Sequence, residues 1–291
     1  MKRAKVTAKD LINESILILK KHKIKEAKLN AELIMSHCMN GDRIDLYENY
    51  NKYLTKIEQN LFRSLIRRRI KKEPVQYIIG KTEFMGLKFK VNKNVLIPRP
   101  DTETLVEFAI KYSLENKINS KYRILDYGTG SGNIIISIAK YSPNLQYYAI
   151  DLSREALILA KENAKSNRVD KDIFFVQSNG FSSFNSRFKF DMIVSNPPYI
   201  PTSVIRKLPE EIKSFEPLIS LDGGEDGLKV IKDIVSNAYR HLKKNGVCLI
   251  EIGYEQSESV EKMIKEVAKY KDIKFLKDLA GIKRVVFFKK K

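Results

Sequence analysis

Over residues 1–75 apolar positions recur at helical spacing; beyond residue 76 they alternate or gather into short unbroken runs. Thr7-Ala8-Lys9-Asp10 reads as a capping box opening a helix with Leu11, Ile12, Ile16 and Leu19 on one side. Ala27, Ala31, Ile34, Met35 and Cys38 keep the period in a second helix, which Asn40-Gly41 ends. Thr55-Lys56-Ile57-Glu58 opens a third, with Leu61, Phe62, Leu65 and Ile66 on its apolar side, and Glu73-Pro74 stops it. Then the period drops to two. Leu87, Phe89 and Val91 alternate with Lys88, Lys90 and Asn92, and Asn92-Lys93-Asn94 predicts a turn into Val95-Leu96-Ile97, making a β-hairpin. Asp101 or Thr102 is placed to cap a following helix from Thr104 to Lys117.

From residue 122 strand-length apolar runs alternate with helix-length amphipathic segments. Strands are predicted at 123–127, 146–151, 173–177, 190–194, 247–253, 273–278 and 284–288, and helices at 133–141, 154–167, 228–242 and 255–270. Such alternation predicts an α/β domain on a parallel sheet, with ligands at the carboxyl ends of the strands. Only a few residues, including Gly281, separate the last two strands, too few for a crossover, so the final strand should run antiparallel. The stretch 200–226, with Pro201, Pro209, Pro217, Gly223 and Gly224, reads as a long loop: a lid, a docking surface or an uninvolved surface segment.

Composition narrows the class. A hydrophobic content of 43% and a charged content of 31% suit an ordinary globular protein, and no apolar run approaches the roughly 18 residues that cross a bilayer. The opening segment lacks the apolar core and cleavage site of a signal peptide, so a cytoplasmic protein without a membrane partner is expected. Cys38 and Cys248 lie in apolar segments and read as buried free thiols; His22, His37 and His241 have no metal-ligand spacing, so no metal is expected. The net charge of +19 favours an anionic partner such as RNA or DNA, or simply records lysines spread along the whole chain. Arg67-Arg68-Arg69-Ile70-Lys71-Lys72 is the one concentrated basic run, a solvated helix face or a binding patch.

Candidate chemistry gathers in two places. Asp126-Tyr127-Gly128-Thr129-Gly130-Ser131-Gly132 lies between a predicted strand and helix. Glycines there admit positive φ and close backbone approach, and the helix N-terminus favours an anionic group. A dinucleotide fingerprint wants Gly or Ala where Asn133 stands, whereas Asp151, closing the next strand, suits the two hydroxyls of a ribose. A nucleoside carrying an amino-acid moiety describes S-adenosylmethionine. On spacing alone a methyltransferase fits better than a nicotinamide or flavin enzyme, and both stay open.

The second place is Ser195-Asn196-Pro197-Pro198-Tyr199, where an apolar strand stops abruptly. Neither proline has an N–H, so the Asn196 and Pro197 carbonyls and the Asn196 amide oxygen remain as acceptors on a stiff backbone. They suit a planar NH2 group, with Tyr199 against its flat face. The lone pair of such a nitrogen is delocalised and poorly nucleophilic. Accepting both N–H bonds, at Asn196 Oδ1 and the Pro197 carbonyl, would orient it and favour the positive charge that develops on methylation. No strong base is then required, since the alkylated nitrogen releases its proton to water. Arg99, held between Pro98 and Pro100, is a candidate for ordering the floor of the site or the substrate backbone.

Six blocks occur in order: Pro74-Val75-Gln76-Tyr77-Ile78-Ile79-Gly80, Leu96-Ile97-Pro98-Arg99-Pro100-Asp101-Thr102-Glu103, the glycine loop 128–132, Asn196-Pro197-Pro198-Tyr199-Ile200, Phe215-Glu216-Pro217-Leu218 and Leu249-Ile250-Glu251-Ile252-Gly253. Together they resemble the peptide chain release factor N5-glutamine methyltransferase family (PrmC/HemK) over nearly all of residues 74–290; the helical part matches in type more than in motif. The Asn-Pro-Pro-Tyr tetrapeptide is shared with N6-adenine and rRNA guanine-N2 methyltransferases, and the block ending at Glu103 discriminates for the glutamine branch.

The resemblance implies a seven-stranded class I S-adenosylmethionine-dependent (Rossmann-like) domain behind a small all-α domain. It divides the chain into a helical substrate-docking domain at 1–75, a β-hairpin linker at 76–100 and a catalytic domain at 101–291. It implies methyl transfer to the glutamine of the Gly-Gly-Gln motif in class I release factors, by a monomer that does not require direct nucleic-acid binding. The alternative is a nucleic-acid methyltransferase using the same clamp. Gly128, Thr129, Gly130, Ser131, Gly132, Asp151, Gly180 and Asn196 map onto cofactor contacts; Asn196, Pro197, Pro198 and Tyr199, with Arg99, map onto the catalytic and glutamine-binding group. One departure stands out: the family commonly has Asp and a bulky residue near the adenine, where this chain has Asn179-Gly180.

Overall fold

The computed structural model describes residues 5–116 and 121–291. Residues 1–4 of the opening segment and Lys117, the expected end of one helix, lie outside the described residues. The chain divides into two compact units, one running to Lys81 and including Pro209–Phe215, the other made of Thr82–Leu208 and Glu216–Lys291.

In the helical unit α1 (Ala8–Lys21) and α4 (Lys56–Ile70) open on the expected capping boxes, Thr7 with Asp10 and Thr55 with Glu58, and α2 is Ala27–Cys38. Two helices of fewer than two turns, α3 (Arg43–Glu48) and α5 (Val75–Ile79), are too short for periodicity to register. Leu11, Ile12, Ile34, Met35, Phe62 and Ile66 form the core, whereas Leu61 is 41% exposed and falls outside it. The basic run is not a solvated face throughout. Arg69 is buried, donating to Asn30 Oδ1 at 2.6 Å and pairing with Glu211 at 2.7 Å, and Arg68 pairs with Glu73 at 2.5 Å.

The hairpin lies earlier than the alternation predicts. β1 (Lys81–Phe84) and β2 (Leu87–Lys90) meet across Met85 and Gly86, with φ of 51° and 69°, the two positive values a two-residue hairpin turn requires. Asn92 also makes a turn, its carbonyl accepting from Val95 N–H at 3.1 Å, but Val95 to Ile97 form no strand; Val95 and Ile97 are buried instead.

The larger unit holds a seven-stranded sheet. In chain order β3 (Arg123–Tyr127), β4 (Gln146–Asp151), β5 (Ile173–Gln177), β6 (Phe190–Ser195), β7 (Leu242–Glu251), β8 (Tyr270–Lys277) and β9 (Lys283–Lys290) are arranged β5-β4-β3-β6-β7-β9-β8. The first five are parallel and β9 is antiparallel to both neighbours, as the short connection demands. Helices α6 (Glu103–Glu115), α7 (Asn133–Tyr141) and α8 (Arg154–Ser166) cover one face; α9 (Lys229–His241) and α10 (Ser257–Val267) cover the other. Alternate residues of β6 serve the two cores, Met192 and Val194 one and Ile193 the other, so a parallel strand covered on both faces reads as an unbroken apolar run. The stretch 200–226 is partly ordered into single turns at Thr202–Ile205, Glu210–Lys213 and Leu218–Ser220. Among the described residues no helix is long and apolar enough to cross a membrane, and both cysteines are buried and unpaired.

Strand order reverses between β3 and its neighbours β4 and β6, and at such a switch point the loops leaving the carboxyl ends part to leave a cleft. Both candidate motifs leave strands there.

Candidate active site

The glycine loop leaves β3 and is shaped largely through backbone hydrogen bonds, two of them to β4. The amides of Gly128 and Thr129 both donate to the Ile150 carbonyl at 2.9 Å, and the loop closes through Gly132 N–H to the Thr129 carbonyl at 2.8 Å. Gly128, Gly130 and Gly132 have φ of 78°, 54° and 82°, a region L side chains rarely enter. A Cβ added at Gly128 or Gly130 would meet nothing within 4 Å, whereas one at Gly132 would lie 2.7 Å from Ile136 Cδ1. The first two glycines therefore keep a cradle open, and the third lets α7 pack closely beneath it.

Asp151 stands across the cradle. Its Oδ2 accepts from Gly130 N–H at 2.8 Å and its Oδ1 from Ser153 N–H at 2.9 Å; burial raises its pKa and these backbone donors oppose the rise. Asp126 is fully buried below the loop. Its Oδ2 accepts from the Thr129 hydroxyl at 2.6 Å, and burial pushes its pKa up to about 7.

At the end of β6 the Ser195 hydroxyl donates to the Tyr127 carbonyl at 2.7 Å, tying the Asn-Pro-Pro-Tyr turn to the start of the glycine loop. Asn196 Nδ2 donates to Thr102 Oγ1 at 3.0 Å. Thr102 stands where it could cap α6, yet its side chain caps nothing. Gln256 Nε2 donates to the Tyr199 carbonyl at 3.0 Å, and Tyr199 Oη donates to Glu251 Oε1 at 3.2 Å. Glu251 is buried, and desolvation pushes its pKa up to about 7 against the Thr102 and Tyr199 hydroxyls, which favour its ionised form.

One cleft joins these parts. Gly128, Thr129, Gly130, Ser131 and Asp151 line one side, Asn196, Pro197 and Pro198 another; Asn179, Gly180, Arg99, Pro217 and Ile219 complete it. Gly132 and Tyr199 are not among its lining residues. Gly132 underlies the cradle, and the Tyr199 ring, expected against the target amide, packs on the core of the α9 face with its hydroxyl on Glu251. Arg99 reaches the cleft wall but spends its guanidinium on buried Glu216, at 2.5 Å, fixing the 216–220 segment beside the cavity.

Residues 10–80 match the PrmC N-terminal domain, and residues 118–287 match a methyltransferase domain. A release factor glutamine methyltransferase of Thermodesulfovibrio yellowstonii is 41% identical over 262 residues, 89% of this chain and 91% of that protein. The chain belongs to the release factor glutamine methyltransferase family. A second relative of that description, from Koribacter versatilis, is 36% identical over 285 residues and spans 98% of this chain and 99% of its own. Among solved structures, the N-terminal domain of human METTL16 in complex with SAH shares the fold of the catalytic unit. The TM-score is 0.51 at 15% identity, covering 70% of this chain and 76% of that one.

The Asn179-Gly180 departure has a structural counterpart. A Cβ at Gly180 would lie 2.8 Å from the Tyr127 hydroxyl, which donates to Asp233 at 2.7 Å. Tyr127, which also packs on Phe181 at 5.2 Å between ring centroids and lines the cleft, fills the space a bulky residue at 180 would take. The sequence does not show the supporting roles of Thr102, Glu251, Gln256, and buried Asn163, whose Nδ2 donates to the Ser131 carbonyl at 2.8 Å and the Lys90 carbonyl at 3.0 Å. Only Asn163 leaves a signal, a lone amide on the apolar face of α8 among Ala156, Leu159, Ala160 and Ala164.

Proposed function

We propose that this enzyme methylates the side-chain nitrogen (N5) of the glutamine in the Gly-Gly-Gln motif of class I peptide chain release factors, acting as a monomer in the cytoplasm. The observation that carries the reading is the extent of its likeness to release factor glutamine methyltransferases, which runs through both the helical and the catalytic parts.

S-adenosyl-L-methionine supplies the methyl group when bound. The residues of the cleft fit it: the space over Gly128 and Gly130 is open to an amino-acid moiety, and the Asp151 carboxylate keeps acceptor capacity for ribose hydroxyls beyond its two backbone bonds. Asn179, on the cleft wall, would take the adenine amino group, and Gly180 leaves that wall to Tyr127. Asn196 Oδ1 and the Pro197 carbonyl accept the two N–H bonds of the glutamine amide and align its lone pair, while Pro198 stiffens the turn. Tyr199 acts from behind the turn through Glu251, and Arg99 through Glu216 shapes the wall beside the substrate. The helical unit up to about residue 75 serves as the docking domain for the release factor, with 76–100 linking it to the catalytic domain at 101–291.

Incubation with purified release factor and labelled cofactor tests the reading. A gain of one methyl group on the Gly-Gly-Gln peptide by mass spectrometry is expected; label in RNA or DNA and none in protein would replace it with the nucleic-acid alternative.

A further inference from the structure

We propose that Glu251 is a positioning residue for methyl transfer: through Thr102 it fixes which end of the Asn196 carboxamide faces the substrate, and through Tyr199 it fixes the exit of the turn. The inference rests on the reading of Asn196 as the amide acceptor and adds to it the device that keeps the acceptor pointing the right way.

A carboxamide has an oxygen and a nitrogen of nearly the same size, and a half-turn exchanges them. Presented nitrogen-first to a substrate NH2 group, Asn196 would set donors against donors. Its orientation therefore needs a partner that accepts and does not donate. Thr102 Oγ1, the atom that Nδ2 contacts at 3.0 Å, can do either, because a hydroxyl carries one hydrogen and two lone pairs.

Where the Thr102 hydrogen goes settles the matter. Thr102 is buried, and its side chain does not cap α6 although it stands at the capping position. Its hydroxyl sits beside the Glu251 carboxyl and favours the ionised form. An ionised carboxylate only accepts. The Thr102 hydrogen is then directed to Glu251, the Thr102 oxygen is left to accept from Asn196 Nδ2, and Asn196 Oδ1 is turned to the opposite side. Tyr199 Oη donates to the same carboxylate at 3.2 Å, so one buried group holds both ends of the tetrapeptide. Among the described residues no hydrogen bond reaches Glu251 Oε2, which leaves the carboxylate room to take the Thr102 hydrogen.

The charged groups around Glu251 are few. Asp101, from the turn before α6, opposes its ionisation, and Arg284 of β9 supports it while pairing with Asp101 at 3.1 Å and Asp278 at 2.9 Å. Burial pushes the Glu251 pKa up to about 7. Protonation turns the acceptor into a donor and removes the constraint on Thr102, so turnover should fall as pH drops through 7.

The test compares Glu251→Gln with wild type, using release factor as methyl acceptor. At pH 8 the variant should lose roughly 10- to 100-fold in kcat, the scale of a misplaced reacting group, with cofactor Kd unchanged by calorimetry. Its kcat should no longer decline below pH 7, whereas Asp126→Asn should keep the decline. Thr102→Val should resemble Glu251→Gln, and Thr102→Ser should restore most of the activity. Because a buried carboxylate near pH 7 costs stability, Glu251→Gln should unfold no more easily than wild type at pH 8.

Wild-type kcat and an unchanged pH profile in Glu251→Gln would overturn the proposal, as would a loss confined to cofactor affinity. Should Glu251→Gln fail to fold, the Thr102 pair decides: equal activity in Val and Ser variants would overturn it. Near-normal turnover in Asn196→Ala would instead remove the clamp itself, whatever Glu251 does.

Discussion

The glycine loop and the Asn-Pro-Pro-Tyr turn leave neighbouring strands and face the same cleft, yet the first is held mainly through its backbone and the second mainly through its side chains. The loop is set largely through backbone, with three positive-φ glycines and two amides on the Ile150 carbonyl of the next strand, and the Asp151 and Asn163 side chains meet its own backbone groups. The turn has a stiff backbone from its two prolines, but its polar groups are aimed by residues far off in the chain. Thr102 is 94 positions from Asn196, Glu251 is 52 from Tyr199, and Gln256 is 57 from Tyr199. A backbone-shaped cradle can be carried by a short peptide stretch in many chains. An acceptor with a defined orientation needs the strand end, the turn before α6 and the end of β7 to arrive together.

The contrast can be broken first at Asn196. Replacing it with alanine removes an acceptor without touching the cradle, so Asn196→Ala should lower methyl transfer by about 10²-fold or more while calorimetry finds cofactor affinity largely intact. Turnover near that of wild type would mean that the turn does not hold the amide.

The cradle should fail in a different currency, stability. Gly132→Ala combines a φ of 82° with a contact of 2.7 Å to Ile136, and should cost about 2 to 3 kcal/mol in denaturant unfolding. Gly128→Ala has a φ of 78° and open space, and should cost about 1 kcal/mol. Equal costs at the two positions would show that packing beneath the loop contributes nothing.

The smallest effect sharpens the comparison through pH. Asp126 is an acid whose folded pKa is raised to about 7, so the folded state holds a proton that the unfolded chain gives up near pH 4. That contribution to stability is full below pH 4 and is lost as pH rises through 7. Asp126→Asn should therefore gain on the order of 1 kcal/mol over wild type at pH 8, and little at pH 4, in thermal or denaturant unfolding at the two pH values. A gain of the same size at both would assign the effect to packing.

What could be read from the chain follows the same division. The strands of the sheet, the antiparallel last strand and the positive-φ glycines of the loop carry local signals, and periodicity and turn chemistry expose them. The sequence pattern puts the hairpin too late because the polar triplet 92–94 is a louder turn signal than Met85-Gly86, whose positive φ at a methionine leaves little mark on composition. Thr102 reads as a helix cap by position, and only the approach of Asn196 gives its hydroxyl another use. Glu251 closes a run of apolar strand residues and looks like any strand-end acid until Tyr199 and Thr102 are brought beside it. Arg69, inside a basic run, is withdrawn from the surface by Asn30 and Glu211, 39 and 142 positions away.

The pairing of Tyr127 with Gly180 bears on how such a cleft can change over generations. The Tyr127 hydroxyl occupies the volume into which any side chain at 180 would grow, and Asp233 holds it there. A bulky residue at 180 would have to push the Tyr127 hydroxyl aside and take a φ of 58°, and a smaller residue at 127 relieves the first of these costs. Changing position 127 before position 180 avoids that contact, whereas the reverse order first displaces the Tyr127 hydroxyl from Asp233.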